Sequence, residues 1–140
     1  MIQNISYKGQ ELAIIIKANY QKPGISFFTP DDYSQQLAYM EHPKGKLIEP
    51  HVHNSVKREV HFTKEVLIIR KGKLRVDFYT NEQEYIRSTI LEAGDVILLS
   101  EGGHGFEVLD DLEMIEVKQG PYAGEDDKTK FTADIKEIIT

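Results

Sequence analysis

The chain has 140 residues and no cysteine, which excludes disulfides, thiolate metal sites and cysteine nucleophiles and leaves only nitrogen and oxygen donors for any metal. Its formal net charge is −6, with acidic and basic residues interspersed, which argues against a nucleic-acid partner. The length suits one domain, residues 1–140, that buries a core without staples. The first ten residues, MIQNISYKGQ, lack the apolar core of a signal peptide, and no stretch is long and apolar enough to span a membrane. A cytoplasmic protein with a small-molecule substrate or ligand is therefore expected.

In chain order, Ile2 to Tyr7 and Glu11 to Lys17 read as strands flanking a hairpin turn at Lys8-Gly9. Asn19 to Gly24 breaks the pattern, Ile25 to Phe28 resumes it, and Pro30-Asp31-Asp32 is turn chemistry. Gln36 to Glu41 is the next strand, ended by His42-Pro43-Lys44-Gly45, where His42 is a turn residue. If Leu47 to His53 is a strand, His51 and His53 leave the same face about 6.6 Å apart. The same parity from Val60 onward aligns His61, Thr63, Glu65, Leu67 and Ile69 on one face. A carboxylate among apolar neighbours is costly unless paired or bound to a cation, and imidazole with carboxylate is ligand chemistry for zinc, iron, manganese or nickel.

After Arg70 the spacing predicts a turn at Lys71-Gly72-Lys73 and a returning strand, Leu74 to Tyr79. Leu74, Val76 and Phe78 then face the core, with Lys73, Arg75, Asp77 and Tyr79 on the wet side. Thr80 to Gln83 is a turn, Tyr85 to Leu91 a strand, Glu92 to Asp95 a turn, and Val96 to Leu99 a fully apolar strand. Phe27, Phe28, Phe78, Phe106, Ile68 and Ile69 are expected in the core. In Leu112 to Lys118 either Ile115 and Val117 point inward, the blander choice, or Met114, Glu116 and Lys118 do, which makes Lys118 an anion contact or base. The tail, residues 121–140, is polar with an amphipathic piece near Phe131 to Ile139, suited to a barrel end or a second subunit. Short strands at this spacing, with almost no helical periodicity, indicate an all-β sandwich or barrel.

Two stretches resemble the cupin family. Its first motif is glycine, five residues, His-x-His, three or four residues, Glu, six residues, glycine. Gly45, His51, His53, Glu65 and Gly72 follow it, except that eleven residues separate His53 from Glu65. Its second motif is matched by Gly94, Gly102 and His104, with Ser100 in the place of the proline, one residue fewer before His104, and Val108 where asparagine would stand. The resemblance covers about residues 35–120. It implies a single-domain, jelly-roll-like antiparallel β-barrel holding one divalent metal ion per chain on His51, His53, Glu65 and His104. It also implies an enzyme that isomerises or epimerises a carbohydrate-like substrate, with His61, Glu59 or Lys118 moving a proton. Metal-dependent dioxygenase chemistry and a non-catalytic binding or sensing barrel are the alternatives. Cupins are frequently homodimers, and residues 54–64 form a long loop read as a lid, a strand extension or a dimer contact.

Overall fold

The computed structural model describes all 140 residues as an almost wholly β protein. Its strands are β1 (Ile2–Tyr7), β2 (Gln10–Ile16), β3 (Gly24–Phe27), β4 (Ala38–Glu41), β5 (Glu65–Tyr79), β6 (Tyr85–Glu92), β7 (Val96–Leu99) and β8 (Gly103–Lys118). One short 3₁₀ turn, Gly124–Asp127, is the sole helical element, and no helix is long and apolar enough to cross a membrane. All pairings are antiparallel. β1, β2, β7, β5 and β6 follow one another in a single curled sheet, β8 joins it on β5, and β3 with β4 forms a separate hairpin.

β1 and β2 are joined at Lys8-Gly9, both at positive φ, as a tight hairpin requires. β2 pairs with β7 through Ala13 to Ile16 and Val96 to Leu99. These two continuous apolar runs are buried on both faces: Ile14 and Leu98 are as fully enclosed as Ile15 and Ile97. The main core gathers Ile5, Leu12 and Ile15 from one side and Leu67, Ile69, Leu74, Val76, Phe78, Leu91, Ile97 and Leu99 from the other. Burying such side chains contributes about 1.5–3 kcal/mol each.

Three expectations change here. Lys71-Gly72-Lys73 is not a hairpin turn: β5 runs on through it to Tyr79 as a bent strand. Gly72 has φ +88°, a Cβ there would lie 2.1 Å from the Asp111 carbonyl oxygen, and the β5–β8 register shifts on both sides of it. The glycine makes a bulge, which bends a strand without ending it. The bend lets the first part of β5 pair with β7 and the second with β6, while β8 follows both along the other edge. The sheet curls around that line.

Leu47 to His53 is not a strand. No strand occurs from His42 to Lys64, and residues 47–63 make no backbone–backbone hydrogen bond. Alternation alone cannot hold a strand without a neighbour to pair with, and Pro50 lacks an amide proton to offer one. Strand β5 accordingly begins at Glu65, not at Val60. Third, Phe27 and Phe106 are not core residues, being 61% and 41% exposed. Phe27 lies on the small β3–β4 hairpin, and Phe106 on the face of β8 that opens to a cavity. Phe78 and Ile69 are buried as expected.

The wet side of β5 is partly closed. Asp77 accepts hydrogen bonds from the Ser88 hydroxyl at 2.6 Å and the Arg75 guanidinium at 2.8 Å, while Phe131 of the tail packs edge-on against Tyr79 at 5.1 Å. The Ile139 carbonyl accepts from the Ser88 amide. The tail thus lies against its own sheet, without a helix at Phe131 to Ile139.

Candidate functional site

The concave side of the curl holds a half-open cavity of about 970 Å³. β5 and β8 position its polar wall. They pair Glu65 with Lys118, Leu67 with Glu116 and Phe78 with His104. Paired residues share a face of the sheet, so the buried Leu67 and Phe78 fix Glu116 and His104 on the inner side. Of the two alternatives for Leu112 to Lys118, the set with Glu116 and Lys118 lines the cavity. Ile115 and Val117 pair with Ile68 and Val66 on the other face.

The charged groups form a compact chain. The Lys118 ammonium is 3.7 Å from one oxygen of Glu65 and 3.5 Å from Glu116, and His104 Nε2 is 3.8 Å from the other oxygen of Glu65. Burial pushes the Glu65 carboxyl up, and Glu116, near enough to share a proton, pushes it further; Lys118 and Lys128 act against them. His104 is held below its ordinary value, first by burial and then by Lys118 and Lys128, with Glu116 opposing. Glu65 in turn raises Lys118. A carboxyl that keeps its proton longer than usual therefore faces a neutral imidazole and a firmly protonated amine.

Aromatic side chains supply the apolar wall. Tyr79, Phe106 and Phe131 border the cavity, and Phe106 lies 5.4 Å from the His104 ring. The turn Ser100 to Gly103 closes one end. Gly102, at φ +76°, approaches Tyr79 so closely that a Cβ would sit 2.7 Å from its carbonyl oxygen. A neighbouring cavity of about 600 Å³ shares Lys118, Asp127, Lys128 and Lys130 with the first.

The remaining sequence-derived candidates lie elsewhere. His51 and His53 stand together, edge to face at 5.2 Å, in the exposed segment between β4 and β5, where the His51 ring meets the Glu49 carbonyl at 3.1 Å. His61 and Glu59 are 3.7 Å apart, with three-quarters of each side chain exposed. None of these four borders the cavity. The four residues that the cupin resemblance makes metal ligands thus form two separate pairs, and no three His, Asp or Glu side chains come together in a way that would hold a metal ion. In this arrangement they do not fit a four-ligand centre, and the nearest cation to Glu65 is the Lys118 ammonium.

Sequence reasoning missed Lys64 and Tyr33. Lys64 is buried without a carboxylate, its ammonium 3.4 Å from the Ser100 hydroxyl oxygen and 4.5 Å over the Tyr33 ring. The ring face stabilises the cation. Tyr33 donates to Glu11 at 2.7 Å, and burial with that contact lifts its hydroxyl to about 12. No local pattern links residues this far apart in the chain. Ser100 borders the cavity, so this cluster braces its floor.

Comparison of the chain with protein-family models, with curated proteins and with solved structures gives no match.

Proposed function

We propose that the cavity takes a small oxygenated molecule, a hydroxy-carbonyl compound of carbohydrate type, and moves a proton on the carbon beside its carbonyl. The observation that carries this reading is Glu65, a carboxyl of raised proton affinity on a cavity wall, 3.7 Å from an ammonium. Such a base works nearer neutral pH than an ordinary glutamate. Glu65 takes the proton, the carbon–hydrogen electron pair moves into the new carbon–carbon double bond, and the carbonyl π pair goes to oxygen, where Lys118 stabilises the negative charge. Return of the proton to the former carbonyl carbon, with the hydroxyl proton of the adjacent carbon passing to the oxyanion as the new carbonyl forms, gives isomerisation. Protonation of the original carbon on its opposite face by solvent gives epimerisation, with neutral His104 left to accept a hydrogen bond from a substrate hydroxyl. The aromatic wall suits the apolar face of a sugar-like ring. The cupin-like spacing of Glu65 with Gly72 and of Gly94 with Gly102 supports the same reading, in which the curled sheet is an open cupin-type jelly roll.

The test is exchange in heavy water, followed by proton NMR over a panel of hydroxyaldehydes and hydroxyketones. Deuterium enters beside the carbonyl in the presence of the protein, and Glu65→Gln slows this by about 10²–10⁴-fold. Saturable binding without exchange would replace the enzyme with a binding or sensing barrel, and no binding at all would sink both.

A second reading is favoured by the pairing itself. Glu65 with His104, and His51 with His53, are two half-sites of one divalent metal centre that meet only when the exposed segment moves onto the sheet. Calorimetric titration with zinc, nickel or manganese decides it. Binding must weaken both in His51→Ala/His53→Ala and in Glu65→Gln; binding indifferent to either pair removes this centre, and with it the dioxygenase alternative.

A further inference from the structure

Two parts of this chain present backbone that nothing pairs. β8 bonds to β5 along one edge, and its sixteen residues leave the opposite edge open. A long open edge is a template for another strand, and natural sheets usually blunt it. This one carries charges but also keeps apolar side chains in the open: Phe106, Val108, Met114, Ile115 and Val117 are each between 38% and 55% exposed. The second part is the segment between β4 and β5. It has no strand, makes no backbone–backbone hydrogen bond from 47 to 63, and leaves Leu47, Ile48, Val52, Val56, Val60 and Phe62 in water, Leu47 and Val52 by 86%. A stable monomer rarely exposes so much apolar surface in two places.

The centre of the segment is basic although the segment as a whole is not: residues 47–62 carry Lys57 and Arg58 side by side, balanced by Glu49 and Glu59. β8 carries Glu107, Asp110, Asp111, Glu113 and Glu116 against Lys118. The two match in apolar content and in unpaired backbone, and the Lys57–Arg58 pair suits the acidic strand.

Within one chain the segment starts from the wrong side. The Lys64 carbonyl accepts from the Gln119 amide at 3.0 Å, and the Thr63 hydroxyl bonds to Asp127, so the chain enters β5 with the β5–β8 ladder between it and the open edge. Reaching that edge would require a reversal across the end of β8. A second copy meets no such obstacle.

We propose that two copies of this chain associate by exchanging arms, residues 47–62 of each lying along the open edge of β8 of the other. The arrangement is two-fold and self-complementary, because each copy supplies one arm and one edge. His104 and Glu116, which line the cavity from β8, then lie beside the partner's arm, and the second copy helps to roof the site.

The absence of cysteine makes the test clean. Single variants Val52→Cys, Val56→Cys and Val60→Cys are each mixed with Ile115→Cys and oxidised, with Lys8→Cys as the control in place of the arm variant. A disulfide-linked heterodimer from at least one arm mixture and not from the control is expected, since the bond forms only when Cα atoms come within about 7 Å. The unsubstituted protein should sediment as a dimer at micromolar concentration. Lys57→Glu with Arg58→Glu should weaken that dimer by about tenfold or more, and Asp110→Lys with Glu113→Lys should restore it. A sedimenting monomer, a dimer that no arm position links, or a Val56→Cys/Ile115→Cys chain that links only within itself would each overturn the proposal.

Discussion

Glu65 and His104 titrate in opposite senses, and the pH dependence of stability separates them. Above the ordinary 4.5 of glutamate, folded Glu65 still holds a proton that the unfolded chain has released, so stability falls as pH rises through that window. Below the ordinary 6.5 of histidine, folded His104 stays neutral while the unfolded chain binds a proton, so stability falls as pH drops there. Urea midpoints measured from pH 4 to 8 should therefore show Glu65→Gln gaining on the parent protein as pH rises above 4.5. His104→Asn should lose the parent's decline below 6.5. Equal slopes in all three proteins would mean that neither burial nor the neighbouring charges shift the protonation of these groups. The alternation Glu65, Leu67, Ile69 made the carboxyl legible in the sequence, because two buried neighbours fix its face. The Lys64, Ser100 and Tyr33 cluster was not legible, since it depends on three distant stretches meeting.

At the level of elements, one glycine separates the hairpin expected at residues 71–73 from the bent strand observed. Lys-Gly-Lys between apolar runs is turn chemistry, and a bulge uses the same positive-φ glycine, so the sequence signal serves both. What decides is the neighbour: β8 pairs with β5 on both sides of Gly72, keeping the strand continuous. Gly72→Ala meets both the backbone penalty of positive φ and the Asp111 carbonyl. Gly9→Ala meets only the first, since nothing lies within 4 Å of its Cβ position. Denaturant unfolding should show Gly9→Ala losing about 1 kcal/mol and Gly72→Ala about 2–4 kcal/mol. Equal losses would show that the bulge yields without cost. The His51–His53 stretch is not a strand for the complementary reason: pairing is a property of two segments, and the sequence displays only one.

For the whole molecule, the all-β character was legible from short apolar runs at regular spacing, and the two continuous runs, Leu12 to Ile16 and Val96 to Leu99, became the strands enclosed on both faces. The curl of the sheet was not legible, because it rests on the bend at Gly72, which only the β5–β8 pairing reveals. The β2–β7 pairing also bears on how the chain is made. Ile16 faces Val96 and Ala13 faces Leu99, so the aliphatic run of β2 leaves the ribosome some eighty residues before its partner. At about 5–20 residues per second the delay is about 4–16 seconds. During synthesis β1 alone is there to pair with this five-residue aliphatic run, and its other edge stays open until β7 emerges.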